Sequence, residues 1–341
     1  MELKKLALWV SEDYINDIVF NLSGPLNRDN CLLPLHGLRE RLSSLGWSCH
    51  TQDVFIKKAI IPDAVLFLDI PAEPVASLIG NWNGKVRKLV FLQEPPIISQ
   101  CNWEISRHGQ FDKILTWNDA LVDNRRYIKT NCPYPLPAAI PIDLSLKKRF
   151  CVVIAGHRKS SYPFELYSKR EEIVRWFERT HPEDLDLYGR GWDRYNFSEK
   201  RPFSALNRLK FLRRLLAPSL PSYKGAVEKK RPILEQYRFS ICYENSSDMP
   251  GYITEKIFDV FAAGTIPVYW GAPNISDHIP AGCFIDKRDF KDYEALYSYM
   301  KSMTDEEYLR RLETIDSFVK GAKGERFSIP YFCETVFKEL V

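Results

Sequence analysis

Between Phe239 and Pro273 the chain gathers Asn245, Tyr252, Glu255 and Lys256 around one strand–turn–helix junction. Phe239, Ile241 and Tyr243 alternate with smaller or more polar residues, the period of a strand. Glu244 to Gly251 is rich in Asn, Ser, Asp, Pro and Gly, which end strands and form turns. Ile253, Ile257, Val260, Phe261 and Gly264 then recur at helical spacing, with Glu255, Lys256 and Asp259 off that face. Thr265–Tyr269 resumes a β-branched, aromatic run. Such a junction aims backbone N–H groups and the positive end of a helix dipole at one spot, where an anion can sit. Lys256, in the first helical turn, adds a cation there. Taken alone, the geometry reads as a phosphate site in an α/β domain. Asn245 is equally at home as a turn former, and Tyr252 as a packing residue.

Three blocks in this order, Tyr243-Glu244-Asn245-Ser246, Tyr252-Ile253-Thr254-Glu255-Lys256 and Thr265-Ile266-Pro267-Val268-Tyr269-Trp270-Gly271, resemble the signature of the α-1,3-fucosyltransferases, glycosyltransferase family 10. Tyr223-Lys224-Gly225, Lys229-Lys230 and Tyr237-Arg238-Phe239 extend the likeness upstream, with fainter echoes at Glu94, Phe111–Ile114 and Arg170. The resemblance implies an α/β GT-B fold, two Rossmann-like domains facing a central cleft. It also implies inverting transfer of L-fucose from GDP-β-L-fucose to a hydroxyl of a glycan acceptor, O3 of GlcNAc or a related sugar, giving an α-L-fucoside. By the same resemblance Lys256 contacts the diphosphate, Glu255 accepts hydrogen bonds from the ribose hydroxyls, and Asn245 and Tyr252 touch the donor. Arg170 matches the arginine that binds the donor phosphates, with Lys169 and Arg158 as alternatives. Glu94 matches the general base, set here in Gln-Glu-Pro-Pro. It follows the strand Leu89–Leu92, at the carboxyl end where open α/β sheets place their sites, and Pro95 favours an extended backbone before it. Glu104 and Asp69 are the other candidates for the base.

Transfer from a nucleotide sugar must stabilise a departing diphosphate and deprotonate a hydroxyl. Asp184-Leu185-Asp186 has the Asp-x-Asp pattern that holds a divalent metal in transferases of the other main fold. Its alternation with Leu185 and Leu187, however, predicts two solvent-facing carboxylates at a strand start. Protein cations are expected to replace a metal, so no cofactor is required and Mn or Mg is at most stimulatory. The histidines form no spaced cluster, and no Cys–His or G-x-S-x-G motif for acyl transfer is present. Two other readings stay open: a GT-B transferase using another nucleotide sugar, and a non-catalytic glycan- or nucleotide-binding protein.

The elements that must carry these residues alternate along the chain. Leu6–Val10, Val54–Ile56, Val65–Ile70, Leu89–Leu92 and Ile114–Trp117 read as strands, with Leu32–Leu45 a helix, which points to a parallel sheet with crossovers. The proline-rich passage from Pro133 to Pro141 reads as a linker. A second alternating unit starts at Phe150–Ile154 and continues with a helix over Glu165–Thr180, a strand at Leu185–Tyr188, a strand ending at Ile285 and a helix over Asp292–Val319. The expected domains are 1–142 for the acceptor and 143–325 for GDP-fucose, with 192–222 an insertion or flap, and a C-terminal helix in 326–341 packing back on the first domain.

A length of 341 residues suits two domains, and 45% hydrophobic with 27% charged content suits a globular protein. The net charge of +4 gives no case for a nucleic-acid partner, because only Arg208–Arg214 and Lys229–Arg231 approach a basic stripe. Those runs suit either a solvated face or contact with an acidic membrane surface or anionic ligand. No apolar run approaches the ~18–20 residues that span a bilayer, and the N-terminus reads as a strand rather than a signal peptide. The expectation is a soluble bacterial or viral type of enzyme, cytoplasmic and peripheral to the membrane at most, with reduced cysteines.

Overall fold

The computed structural model describes residues 3–195, 197, 203–217 and 219–341. It divides into two α/β units. The first comprises Met1–Leu136, Met249–Glu255 and Ala322–Val341, the second Pro137–Asp248 and Lys256–Gly321.

Among the described residues of the first unit, β1 (Lys4–Trp9), β2 (Trp47–Thr51), β3 (Ala64–Leu68), β4 (Arg87–Leu92), β5 (Lys113–Thr116) and β6 (Tyr127–Lys129) form one parallel sheet, ordered β2-β1-β3-β4-β5-β6. Alternate residues enter different cores: Leu6, Leu8, Leu66, Leu89 and Phe91 one face, Ala7, Val65, Phe67, Val90 and Leu92 the other. Burial on both faces is why these strands read as unbroken apolar runs. The first core is closed by Leu35, Leu38 and Leu42 of α1 (Leu33–Ser44) and by Phe332, Cys333 and Val336 of the C-terminal helix Ile329–Lys338.

The strand expected at Val54–Ile56 is instead part of a helix, Gln52–Lys57, that follows β2 directly. Three apolar residues in a row do not fix a period. Thr51 sits extended at the helix start with Asp53 in the first turn, an acidic start that favours the helix. β6 has no clear sequence signal, being three half-buried residues at the sheet edge.

In the second unit β7 (Arg149–Ile154), β8 (Leu185–Tyr188), β9 (Tyr237–Tyr243), β10 (Ile266–Trp270) and β11 (Ile285–Asp286) are parallel, ordered β11-β10-β9-β7-β8. The chain moves outward from β7 to β8, then returns to lay β9 on the other side of β7. This reversal makes the carboxyl ends of β7 and β9 the topological switch point, the usual place for a ligand in such a sheet. α2 (Tyr167–Thr180) buries Tyr167, Arg170, Ile173, Val174 and Phe177. α3 (Glu255–Ala262) is the crossover between β9 and β10 and buries Ile257, Phe258, Val260, Phe261 and Ala262. Ile253 and Gly264, helical by their spacing, lie outside it. The single helix expected over Asp292–Val319 is two, Tyr293–Ser302 and Asp305–Lys320, because the Thr304 side chain accepts from Glu307 N and starts a fresh helix.

Of the segment 192–222, residues 196, 198–202 and 218 lie outside the described residues; the remainder includes a short helix, Lys210–Leu215. All eight cysteines are free thiols, with Cys49, Cys151, Cys242, Cys283 and Cys333 buried. Among the described residues no helix is long and apolar enough to cross a membrane.

Candidate functional site

At the switch point of the second unit, β9 leads into Glu244 and Asn245, and α2 turns Arg170 toward them. Arg170 is 5% exposed. Its Nη2 donates to the carbonyls of Tyr243 and Glu244, both at 2.7 Å, and to Asn245 Oδ1 at 3.1 Å, while Nε donates to Tyr243 O at 3.2 Å. The arginine therefore shapes the turn that begins the signature, tying three successive residues together. Its guanidinium carbon lies 5.1 Å from the Tyr167 ring centre. Burial pushes the Tyr167 hydroxyl up, against the pull of the nearby cations Arg170, Arg158 and Lys256. Arg170 and Tyr167 thus stand together at the start of α2, at the carboxyl end of this sheet. Lys169 instead donates to Glu172 at 2.6 Å, an exposed residue of α2.

Lys256 occupies the second position of α3, where the helix dipole is positive. Its Nζ lies 3.2 Å from Glu244 Oε2; the lysine side chain is 26% exposed and the glutamate 0%. A fully buried carboxylate at this place is the feature that sequence reasoning misses. Glu244 opens a run of turn formers and reads there as one more polar loop residue. The signal available is its position directly after a buried strand, where a polar side chain has no route to solvent.

The first unit holds Glu94, Tyr252 and Glu255. Glu255 is half-buried and opens α3. Glu94 is half-buried just beyond β4. Its N–H donates to Asp69 Oδ1 at 3.1 Å, and its carbonyl accepts from Asn102 Nδ2 at 3.0 Å and Trp103 Nε1 at 3.1 Å. Asp69 Oδ1 also accepts from Gln93 N and Asn102 Nδ2, both at 2.6 Å. Burial pushes the Asp69 carboxyl up in spite of these donors. Asp69, an alternative for the base, is thus a clamp on the loop that presents Glu94. Glu104, the other alternative, is exposed and paired with Arg107.

Tyr252 is 2% exposed, its ring 4.8 Å from that of Trp117, which in turn lies 4.9 Å from Trp103. Trp117 Nε1 donates to Gln93 O at 3.0 Å. Two tryptophans therefore connect Tyr252 to the Glu94 loop. The turn leading to Tyr252 needs Gly251, whose φ is +80° and where a Cβ would collide with the Trp117 carbonyl oxygen.

The Asp-x-Asp tripeptide departs from expectation, for its carboxylates do not face open solvent. Asp184 accepts from Tyr297 Oη at 2.6 Å and pairs with Lys301 at 2.8 Å. Asp186 accepts from Tyr237 Oη at 2.7 Å, is hydrogen-bonded by Arg149 and lies 3.4 Å from Lys224. Both engage cations near the amino ends of the strands, remote in topology from the switch point. Among the described residues no group of three or more His, Cys, Asp or Glu is placed to hold a metal.

Residues 147–314 match the family described as glycosyltransferase family 10 (fucosyltransferase), C-terminal part. The alpha-(1,3)-fucosyltransferase FucT of Helicobacter pylori is 39% identical over 75 residues, which cover 22% of this chain and 16% of that protein's length. The matched stretch therefore spans about a sixth of that curated relative. A crystal structure of an alpha1,3-fucosyltransferase with GDP-fucose superposes with a TM-score of 0.56 at 17% identity, over 99% of this chain and 90% of that one. An alpha-glucosyltransferase in complex with UDP and a mismatched 13-mer DNA gives 0.57 at 13% identity, over 99% of both. At such identities the structural likeness carries the fold alone, two parallel-sheet α/β units of the GT-B class.

Proposed function

The chain belongs to glycosyltransferase family 10, and from that premise we propose that it is an inverting fucosyltransferase acting on GDP-β-L-fucose. The acceptor is a glycan hydroxyl, O3 of GlcNAc or a related sugar. The observation that carries this reading is at the switch point of the second unit: Lys256 stands in the first turn of α3, 3.2 Å from Glu244, and the Glu244 carbonyl accepts from the Arg170 guanidinium. A diphosphate is the ligand that cations at a helix amino end suit.

In this mechanism Lys256, with the α3 dipole, neutralises the diphosphate as the glycosidic C–O bond breaks. Glu255 accepts hydrogen bonds from the ribose hydroxyls, and Tyr252 and Asn245, the latter oriented by Arg170, complete the donor contacts. Arg170, whose hydrogen bonds run to Tyr243, Glu244 and Asn245, shapes that turn, and its charge acts on the phosphates from behind. Glu94 takes the acceptor proton, the hydroxyl oxygen attacks the anomeric carbon opposite GDP, and one displacement yields the α-L-fucoside.

Fixed cations supply the charge compensation that a divalent ion supplies in other transferases. Turnover is accordingly expected to survive EDTA largely intact, Mn or Mg stimulating at most. Complete loss on chelation, restored by manganese, overturns this part of the reading. Another nucleotide sugar is the second reading, since no residue named above reads the sugar ring; the fold neighbours include a glucosyltransferase bound to UDP. GDP release that needs both donor and acceptor separates a transferase from a binding protein.

The segment from Arg208 to Leu216 supports peripheral contact with an acidic membrane surface. Phe211 is 81% exposed and Leu215 69%, beside Arg208, Lys210, Arg213 and Arg214, and no Asp or Glu occurs between residues 200 and 227. The protein is expected to float with phosphatidylglycerol-containing vesicles and not with pure phosphatidylcholine. Phe211→Ser with Leu215→Ser should abolish flotation while leaving turnover of a soluble acceptor unchanged. Flotation that ignores these substitutions, or none at all, contradicts the contact.

A further inference from the structure

The Glu244–Lys256 pair is a costly arrangement to have at this position. Taking a carboxylate and an ammonium out of water carries a desolvation penalty that their attraction only roughly offsets, so a buried ion pair is weak evidence of a stabilising role. Yet the surrounding chain is arranged to accommodate Glu244. Its N–H donates to Trp270 O at 2.8 Å, and its carbonyl accepts from Arg170, so the main chain is fixed on both sides. Room for the side chain comes from Gly271, where a Cβ would lie 2.5 Å from Glu244 Cγ and collide with Tyr269 Oη. Tyr269 is fully buried and its hydroxyl accepts from Ala272 N at 3.0 Å, which holds the turn beside the carboxylate.

We propose that Glu244 is a positioning residue for Lys256, holding the ammonium at the amino end of α3, where it meets the diphosphate. The proposal rests on the reading of Lys256 as the diphosphate cation. A lysine is a point charge on a flexible four-carbon stem, and ordering that stem at each binding event weakens binding. A buried carboxylate 3.2 Å from the ammonium fixes the direction of the lysine before the ligand arrives. Arg170 and Glu244 then divide the work: one shapes the turn, the other aims the cation.

The test is GDP affinity by titration calorimetry, with steady-state kinetics, for Glu244→Gln, Glu244→Asp, Lys256→Met and the double variant Glu244→Gln/Lys256→Met. Glu244→Gln is expected to weaken GDP by about 10-fold, the scale of one charge-assisted contact partly lost, with the acceptor KM unchanged. Glu244→Asp, which keeps the charge one methylene short, should fall between it and wild type. This variant carries the test if the glutamine form does not fold. The double variant should bind GDP no more weakly than Lys256→Met alone, because the carboxylate acts only through the lysine. A merely structural role gives the opposite pattern: a lowered melting temperature, unchanged GDP affinity of the folded fraction, and stability losses that add to those of Lys256→Met. That pattern overturns the inference alone. Normal GDP affinity in Lys256→Met overturns the diphosphate reading beneath it, and the inference with it.

Discussion

Lys256→Ala is expected to lower kcat/KM for GDP-fucose by about 10²-fold, with loss of GDP affinity accounting for much of it. The substitution removes a charge-assisted contact worth about 1.5–3 kcal/mol to the diphosphate. It removes that contact where negative charge grows in the transition state, so kcat falls as well as KM rising. It also takes away the cation that faces the fully buried carboxylate of Glu244. Breaking a buried pair from one side is destabilising, so the melting temperature should drop too. The two effects can be told apart. Adding Glu244→Gln to Lys256→Ala removes the buried charge and should recover stability without recovering activity. Near-normal GDP-fucose turnover by folded Lys256→Ala, measured as GDP release, would exclude the diphosphate role.

Glu94→Gln is expected to reduce transfer to acceptor by about 10²-fold or more, the usual scale for losing acid–base assistance. Donor affinity should hardly change, because the substitution keeps size and hydrogen-bonding reach. Glu94 meets Asp69, Asn102 and Trp103 through its main-chain N–H and carbonyl, so the loop keeps its shape. Glu104→Gln should leave transfer intact, since that exposed carboxylate faces Arg107. Asp69→Asn retains an Oδ1 that can accept the same N–H donors, and a modest loss at most is expected. Transfer near wild type in Glu94→Gln, with a large loss in Asp69→Asn or Glu104→Gln, would move the base to the residue that fails.

The strands of both sheets are legible in the sequence where burial on both faces leaves an unbroken apolar run. Val65, Leu66 and Phe67 of β3 form one such run, and Cys151, Val152 and Val153 of β7 another, all of them buried. Runs of this kind announce a strand because no polar face interrupts them. The signal fails for short elements: Val54–Ile56 fits a helical turn as well as a strand, and becomes the former. The site divides in the same way. Lys256 and Glu255 are legible because a turn rich in strand breakers sets them at the start of an amphipathic helix. Arg170 is legible as a cation early on α2. Its burial and its bonds to three successive residues are not, because they depend on where β9 ends. Glu244 and the room left by Gly271 depend on β9 and β10 lying side by side, a long-range pairing with no local trace in the chain. The partners of Asp184 and Asp186 come from distant segments for the same reason.

The central claim is tested most directly by incubating the purified protein with GDP-fucose and a glycan bearing a terminal N-acetyllactosamine, and following GDP release and product together. The account predicts release of GDP that depends on the acceptor, with a product carrying one α-linked fucose, and no comparable turnover of UDP-glucose. Acceptor-dependent turnover of another nucleotide sugar in place of GDP-fucose, or tight GDP binding with no transfer to any glycan on an array, would contradict it.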